Sequence, residues 1–266
     1  MRVHAPFATA PDEIAGHGLL TGRRVVVTAA AGTGIGSATA RRALLEGADV
    51  VVSDWHERRL SATCADLRSM GAGRVESVVC DVTDTDQVDA LIATSVDLLG
   101  GIDVLVNNAG LGGEVPVVDM TDAEFARVVD VTLTGTFRCT RAMLAHIRDA
   151  GHSAAIVNNA SVLGWRAQHG QAHYAAAKAG VMALTRCTAI EAAPLGVRVN
   201  AVAPSIARHA FLAKVTSEEL LNDLAAGEAF GRAAEPWEVA ATIAFLASDY
   251  ASYLTGEVVS VSSQRA

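Results

Sequence analysis

A short valine run followed at once by glycines and a helix is the feature that most restricts how this chain can fold. Val25 to Val27 are wholly apolar, which is typical of a buried strand in a parallel sheet. The run leads into TAAAGTGIG, with Gly32, Gly34 and Gly36, and a helical pattern then continues to Leu45. Because glycines let backbone approach a ligand and helix N-terminal amides favour negative charge, this unit predicts a pyrophosphate site.

The alternation of strand and helix continues along the chain. Helical sequence precedes each of the further apolar runs, which predict strands at Asp49 to Ser53, Arg74 to Val79, Asp103 to Val106 and Ala155 to Val157. This order predicts an α/β fold, a single Rossmann-type domain with a doubly wound parallel sheet and helices on both faces. We assign residues 21–266 to that domain and residues 1–20, which contain two prolines and no clear period, to an N-terminal surface arm.

Composition and charge exclude several classes of function. The net charge of -8 argues against nucleic acid and anionic membrane as partners. No apolar run approaches the roughly 18 residues of a membrane span, and the N-terminus lacks the apolar core of a signal peptide, so we expect a cytoplasmic protein.

Cysteine and histidine spacing gives no metal signal. The four cysteines are far apart, and their contexts predict buried, reduced thiols. His169 and His173 have a ligand-like spacing, but Gly170 lies between them and no carboxylate follows, so we expect no metal.

Acidic and amide side chains follow the predicted strands, at the edge where such sheets bind ligands. Asp54 is placed to accept hydrogen bonds from an adenosine ribose and to repel a 2′-phosphate, which favours NAD over NADP. Arg58 and Arg59 leave a phosphate partner as the alternative, although we interpret them as a solvated helix face.

Two later strand ends add further candidates. Asp81 is placed to bond an adenine amine, and Asn108 to fix the turn beneath the cofactor. For Asn107, a simple turn-forming role fits the sequence equally well.

A serine, a tyrosine and a lysine form the candidate reaction centre. Tyr174 follows Ser161 by thirteen positions, and Lys178 follows Tyr174 by four. If the segment from Gln171 is helical, Tyr174 and Lys178 lie one turn apart on one face. A cation about 5 Å away at an effective dielectric of about 20 would lower the phenol pKa by about two units, towards the range of a useful base. Ser161 can donate a hydrogen bond to a substrate oxygen.

The chain from about Leu20 to Val261 resembles the short-chain dehydrogenase/reductase family. The resemblance is carried by TAAAGTGIG, CDVTD, VLVNNAG, the Ser161, Tyr174 and Lys178 set, VRVNAVAPS from Val197, and the run from Gly231 that begins GRAAEPWEVA. It implies a seven-stranded sheet, a homotetramer or homodimer, and reversible oxidation of a hydroxyl to a ketone with a nicotinamide cofactor.

The resemblance also implies residue roles. Tyr174 would take the hydroxyl proton, Lys178 would lower its pKa and bind the nicotinamide ribose, and Ser161 would hold the reacting oxygen. The expected cofactor-binding residues are Gly32, Thr33, Gly34, Ile35, Gly36, Asp54, Asp81, Val82, Asn108, Ala109, Gly110, Tyr174, Lys178, Pro204 and Ile206.

The sequence departs from the family pattern at several places. Ala29 stands where the first glycine of the loop is expected, and Thr132 replaces an asparagine that anchors a water in the proton relay. We predict that the relay is kept, either by the Thr132 hydroxyl or by a water on neighbouring backbone. His209 aligns with the threonine that holds the nicotinamide carboxamide in the family. The C-terminal SVSSQRA replaces the Asp-Gly-Gly ending that is usual there.

Substrate residues are expected between the serine and the tyrosine and in a mobile segment from about residue 205 to 230. We predict that Trp165 supplies an apolar wall and that Arg166 or Arg208 meets an anionic group such as a carboxylate or a coenzyme A phosphate, with His209 and Phe211 nearby. A surface ion pair is the alternative for Arg166.

More narrowly, ASVLGWRAQH and PSIARH resemble actinobacterial family members of steroid ring-C/D breakdown, which act on a hydroxylated bicyclic acyl-CoA. The alternatives are a 3-oxoacyl-thioester reductase, against which Asp54 weighs, and a non-catalytic dinucleotide-binding regulator.

Overall fold

Seven parallel strands form one central sheet in the computed structural model, which describes residues 8–208 and 218–263. The strands are β1 (Arg24–Val27), β2 (Asp49–Asp54), β3 (Val75–Val79), β4 (Val104–Asn107), β5 (Ala154–Asn159), β6 (Val197–Pro204) and β7 (Val258–Val261). Their order is β3-β2-β1-β4-β5-β6-β7, which confirms the predicted doubly wound sheet. Because β1 lies between β2 and β4, the winding reverses there and a crevice opens at the carboxyl ends of the strands.

Helices cover both faces of the sheet. They are α1 (Ile35–Leu45), α2 (Glu57–Ser69), α3 (Thr85–Leu99), α4 (Asp122–Val129), α5 (Gly135–Ala150), α6 (Ala172–Ala192), α7 (Glu218–Ala226) and α8 (Pro236–Ala247). A π turn, Asp130–Thr134, joins α4 to α5.

The apolar strands are buried on both faces, as their unbroken hydrophobic runs predict. Val25 and Val27 pack into the core beneath α1, α2 and α8, whereas Val26 packs into the core beneath α3, α5 and α6. The sheet therefore has a hydrophobic core on each face, and the two cores fix the positions of the strand ends beside the crevice.

The N-terminal arm is attached to the far end of α1. Arg42 donates to the carbonyl oxygens of Ile14 (2.6 Å) and Ala15 (3.1 Å), and Glu46 accepts the backbone amides of His17 (2.8 Å) and Leu19 (3.0 Å). Arg42 and Glu46 also pair with each other and are 2% and 0% exposed. The arm is thus held by a buried ion pair and by backbone hydrogen bonds.

The cysteine prediction holds for three thiols and is wrong for the fourth. Cys64, Cys80 and Cys139 are buried, whereas Cys187 is exposed because it lies on the outer face of α6. All four are free thiols. Burial, as the largest cause, raises the pKa of Cys80 and of Cys139 to about 12, so these two thiols stay protonated at neutral pH.

Neither membrane helices nor metal clusters occur in the part of the chain that the structure describes. No helix in residues 8–208 and 218–263 is both long and apolar enough to cross a bilayer. Within the same ranges, no three His, Cys, Asp or Glu side chains are grouped closely enough to hold a metal ion.

Candidate active site

A cleft of about 1270 Å³ lies at the carboxyl ends of the strands. The predicted cofactor residues all line it except Gly32 and Thr33, which belong to the glycine loop but not to the cleft wall. Ser161, Tyr174 and Lys178 line the same cleft. The two halves of the predicted site, one for a dinucleotide and one for proton transfer, therefore share a single space.

The start of α1 has the geometry of a phosphate site. Its N-cap is Gly34, which has no side chain to bond the first amides of the helix, and Gly34, Ile35 and Gly36 face the cleft. A Cβ on Gly36 would lie 2.4 Å from the Ala29 oxygen and 2.5 Å from Asn108 Nδ2, so only glycine fits there. Open amides at a helix N-terminus suit a pyrophosphate, and the residues present thus fit a dinucleotide.

Ala29 carries the strain that its replacement of glycine implies. It has φ of 49°, the only positive φ at a non-glycine residue in the described chain. The loop is nevertheless held firmly, because the Gly32 amide donates to Thr63 Oγ1 (2.9 Å) and the Ala29 oxygen accepts from Asn108 Nδ2 (3.0 Å). The chain keeps the glycine-type turn with an alanine, at a conformational cost.

Asp54 ends β2 with its carboxylate at the cleft. It is 7% exposed and accepts the backbone amides of His56 (2.9 Å) and Ala31 (3.3 Å). Arg59 also lines the cleft, and its guanidinium lies 4.0 Å from the same carboxylate. A negative oxygen is therefore fixed where the sequence predicts the adenosine ribose.

The Asp81 side chain lies at the cleft, whereas the Asn107 side chain is turned away from it. Asp81 lines the cleft and accepts the amide (2.9 Å) and the hydroxyl (2.8 Å) of Thr83. Asn107 is buried within β4 and donates to Thr140 Oγ1 (3.0 Å) and Asn158 Oδ1 (2.9 Å), away from the cleft. It joins the sheet to α5 rather than forming a turn.

The reaction centre lies on the first turns of α6. The helix begins at Ala172, one residue after the predicted start, and Lys178 Nζ is 5.5 Å from the centre of the Tyr174 ring. Ser161 lies two residues after β5 and lines the cleft together with Tyr174, and its hydroxyl accepts the Leu163 amide (3.2 Å). Lys178 donates to the Asn159 carbonyl oxygen.

Burial dominates the proton affinities of this centre. It raises the pKa of Tyr174 to about 12, which the Ser161 hydrogen bond only partly opposes, and it lowers the pKa of Lys178 to about 7. The expected lowering of the Tyr174 pKa by the lysine charge is not found in this state, because desolvation disfavours both ionised forms. At neutral pH the phenol is protonated.

Thr132 lies in the π turn, 0% exposed and behind the cleft wall. Its hydroxyl donates to the Leu111 oxygen (3.2 Å) and accepts from the Leu111 amide (3.0 Å). The proton of this hydroxyl is thus already used in a bond to backbone.

The predicted substrate residues have separate locations. Arg166 lines the cleft, whereas Trp165, with 52% of its surface exposed, and the exposed Arg208 are not among the lining residues. The structure thus gives no support to Trp165 as a wall of the cleft or to Arg208 as an anion partner within it. His209 and Phe211 lie outside the described residues.

The cleft also contains residues that sequence reasoning missed. Residues 111–114 follow VLVNNAG directly and line the cleft, and a Cβ on Gly112 would lie 3.6 Å from the Tyr174 ring. Their position after a strand end was a usable signal. Glu228, by contrast, lies far along the chain in an irregular stretch, where nothing in the sequence marked it.

Comparison with known proteins agrees with this geometry. Residues 29–263 match the family profile described as Enoyl-(Acyl carrier protein) reductase. The chain is 75% identical over 258 residues to the (5R,7aS)-5-hydroxy-7a-methyl-1-oxo-2,3,5,6,7,7a-hexahydro-1H-indene-carboxyl-CoA reductase of Mycobacterium tuberculosis (strain ATCC 25618 / H37Rv), covering 97% of this chain and 98% of the relative. The chain belongs to the short-chain dehydrogenase/reductase family.

Two further relatives support the assignment. The crystal structure of a short chain dehydrogenase from Mycobacterium smegmatis has a TM-score of 0.88 and 67% identity, covering 98% of this chain and 100% of that one. The cis-4-hydroxycyclohexanecarboxylate dehydrogenase of Sinomonas cyclohexanicum is 43% identical over 239 residues, which is 90% of this chain and 94% of the relative. As a member of this family, the protein is an oxidoreductase that binds a nicotinamide dinucleotide and interconverts an alcohol and a ketone.

Proposed function

We propose that the protein is an NAD-dependent oxidoreductase that interconverts a secondary alcohol and a ketone on a bicyclic, steroid-derived acyl-CoA. The observation that carries the reaction is the convergence of Ser161, Tyr174 and Lys178 on the cleft that also holds the start of α1. The substrate class is supported by the 75% identity to a reductase named for such a thioester.

In the proposed mechanism, each side chain of the reaction centre has one task. In ketone reduction the protonated Tyr174 donates its proton to the carbonyl oxygen, and in alcohol oxidation its phenolate takes the hydroxyl proton. Ser161, which lines the cleft beside Tyr174, would turn its hydroxyl proton to the reacting oxygen when substrate binds and hold that oxygen against the phenol. Lys178 stabilises the phenolate as it forms. A bound nicotinamide dinucleotide supplies or accepts the hydride.

The proton relay behind Lys178 remains part of the proposal. Because Thr132 donates its hydroxyl proton to Leu111, we favour a water on neighbouring backbone over the threonine hydroxyl as the carrier. Thr132→Val tests this, since turnover close to that of the wild type would remove the threonine side chain from the relay.

The choice of NAD rests on Asp54 and Arg59. The buried carboxylate would repel a 2′-phosphate, and the Arg59 guanidinium lies 4.0 Å from that carboxylate. We expect Asp54→Ala to raise the kcat/KM ratio of NADP over NAD by about 10- to 100-fold, because one buried charge is worth several kcal/mol of discrimination at most. A wild-type preference for NADP would overturn this part of the proposal.

Arg166 is the proposed partner of an anionic substrate group. It lines the cleft, and no carboxylate of the described residues lies within ion-pair distance of it. Arg166→Met should raise the KM of the acyl-CoA about tenfold with little change in kcat for an uncharged alcohol, because a lost charge-assisted hydrogen bond costs about 1.5–3 kcal/mol. Equal effects on charged and uncharged substrates would contradict an ionic contact.

One assay tests the function as a whole. The purified protein is given NAD or NADP with a hydroxylated bicyclic acyl-CoA, with a simple 3-hydroxyacyl-CoA, and with cis-4-hydroxycyclohexanecarboxylate. We expect the highest kcat/KM with the bicyclic thioester and NAD, and a loss of about 10³-fold in kcat for Tyr174→Phe. The simple 3-hydroxyacyl-CoA as the best substrate would overturn the substrate class in favour of a 3-oxoacyl-thioester reductase.

Assembly is proposed from the family, and location from the sequence, which predicts neither a membrane span nor a signal peptide. We infer a homotetramer or homodimer in the cytoplasm, which light scattering of the purified protein and fractionation of cells would test.

A further inference from the structure

Asn159 occupies a position between the two halves of the cleft. It is the last residue of β5, and its register partner on β6 is Val202. Asn159 is half-buried and lines the cleft.

A series of three hydrogen bonds, two of them made by Asn159, connects the lysine to the glycine loop. Lys178 Nζ donates to the Asn159 carbonyl oxygen, and Asn159 Nδ2 donates to Asn108 Oδ1 (2.9 Å). Asn108 Nδ2 then donates to the Ala29 oxygen (3.0 Å), in the turn that precedes α1. The series joins the ammonium group to the backbone of the loop whose helix start fits a pyrophosphate.

The remaining polar atom of this amide is not used in the fold of the described residues. Asn159 Oδ1 is buried and has no hydrogen-bond partner among the described residues. A buried acceptor without a donor costs stability, whereas an apolar residue would leave none. Among the described residues, the Asn159 side chain is thus oriented by one hydrogen bond, which it donates to Asn108.

We propose that Asn159 is a positioning residue that couples Lys178 to the glycine loop, so that dinucleotide binding and the placement of the ammonium group depend on each other. The inference rests on the proposed role of Lys178. Because Asn108 is bonded to both Ala29 and Asn159, a shift of the loop is transmitted to the backbone carbonyl that holds the lysine.

The neighbouring residue provides a matched control. Asn158 is also a buried amide at the end of β5, but its side chain lies on the opposite face of the sheet. It accepts from Asn107 and donates to Thr185 Oγ1 (2.9 Å), and it does not line the cleft. Asn158→Ala should lower the melting temperature while leaving dinucleotide affinity and kcat within about twofold of the wild type, since it touches neither Lys178 nor the loop.

The test is a double-mutant cycle read by dinucleotide binding. NADH and NADPH are titrated by fluorescence, and the tighter one is used for wild type, Asn159→Ala, Lys178→Met and the double variant. We expect Asn159→Ala to weaken binding about fivefold and to lower kcat about tenfold. Lys178→Met should weaken binding at least about threefold less in the Asn159→Ala background than in the wild type, because contacting residues are not additive.

Asn159→Asp has nearly the shape of asparagine but cannot donate to Asn108 Oδ1, so it carries the test if the alanine variant does not fold. Additive effects within about 1.5-fold, or an Asn159 variant within twofold of the wild type in both binding and kcat, would overturn the coupling. If instead Lys178→Met and Tyr174→Phe keep full turnover, the proposed function itself fails, whatever Asn159 does.

Discussion

Arg42 and Lys178 are both buried basic residues, but their surroundings differ between the two ends of the molecule. Arg42, at the end of α1 remote from the cleft, is paired with Glu46 and also donates to the arm. Lys178, at the cleft, is equally buried at 3% exposed, but its bond in the described structure is to one backbone oxygen. Among the described residues, the first cation has a counter-ion and the second has none.

The proton affinities follow from this difference. Burial alone would raise the pKa of Glu46, but the amides of Leu19 and His17 and the Arg42 guanidinium outweigh it and hold that pKa below its usual value. At the cleft, burial lowers the pKa of Lys178 to about 7 without opposition. A paired buried charge is costly to break because its partner is left uncompensated, whereas a buried cation without a counter-ion marks a candidate functional site.

The largest expected effect is on turnover at the cleft. Tyr174→Phe and Lys178→Met should each lower kcat by about 10³-fold, because proton transfer and its electrostatic support are lost. Steady-state kinetics with saturating cofactor and substrate measure it. Turnover within tenfold of the wild type for both variants would show that the unpaired cation is not catalytic.

The thermal stability of Lys178→Met also tests the difference between Lys178 and Arg42. Because the unfolded lysine has a pKa near 10.5 and the folded one near 7, the buried amine costs stability at neutral pH. Lys178→Met should therefore melt at or above the wild-type temperature at pH 7, and the gain should shrink as pH rises towards 10.5. A clear loss of melting temperature at pH 7 would indicate that Lys178 is structural, like Arg42.

Removing Arg42 should have the opposite result. Arg42→Met leaves the Glu46 carboxylate buried without its cation, which typically costs about 3–5 kcal/mol of unfolding free energy, with kcat of the folded enzyme unchanged. Urea unfolding measures the loss. Since the pKa of Glu46 is lowered in the fold, the contribution of the pair is present above about pH 4.5 and disappears as pH falls below it, so the difference from wild type should shrink in acid.

The pH dependence of the turnover rate is expected to be a smaller effect than the loss of Arg42. With the Tyr174 pKa raised to about 12, the phenolate needed for alcohol oxidation increases about tenfold per pH unit below that value. Oxidation should accelerate between pH 7 and 9, whereas ketone reduction, which uses the protonated phenol, should not. Opposite trends would place the proton on a different group.

The smallest expected effect concerns strain beside the phosphate site. Ala29→Gly should stabilise the protein by about 1 kcal/mol, because glycine adopts φ of 49° without the cost that alanine bears. Differential scanning calorimetry measures it. Destabilisation would show that the methyl group packs well enough to outweigh its backbone strain.

The fold and the reaction centre were readable because their signals are local. Apolar runs and a glycine loop predict the parallel sheet, and a four-residue spacing on a helix places Tyr174 beside Lys178. Proton affinity was not readable in this way, because it depends on burial, and burial depends on parts of the chain that are distant in sequence, such as Gly112 beside the Tyr174 ring.

Side-chain direction was likewise beyond the pattern. Nothing in the adjacent letters of VLVNNAG shows that Asn107 turns towards α5 while Asn108 holds the glycine loop. The prediction of Trp165 as a cleft wall had only sequence proximity behind it, and half of that side chain faces solvent.

The attachment of the arm has a practical consequence for trimming the protein. A version beginning at Leu20 would retain every cleft residue, yet it would strip two amide donors from Glu46 and both carbonyl acceptors from Arg42. Such a shortened enzyme would still contain its chemistry but would lose the lining that shields a charged pair from water. Residues 13–19 are therefore better treated as part of the folding unit than as a dispensable leader.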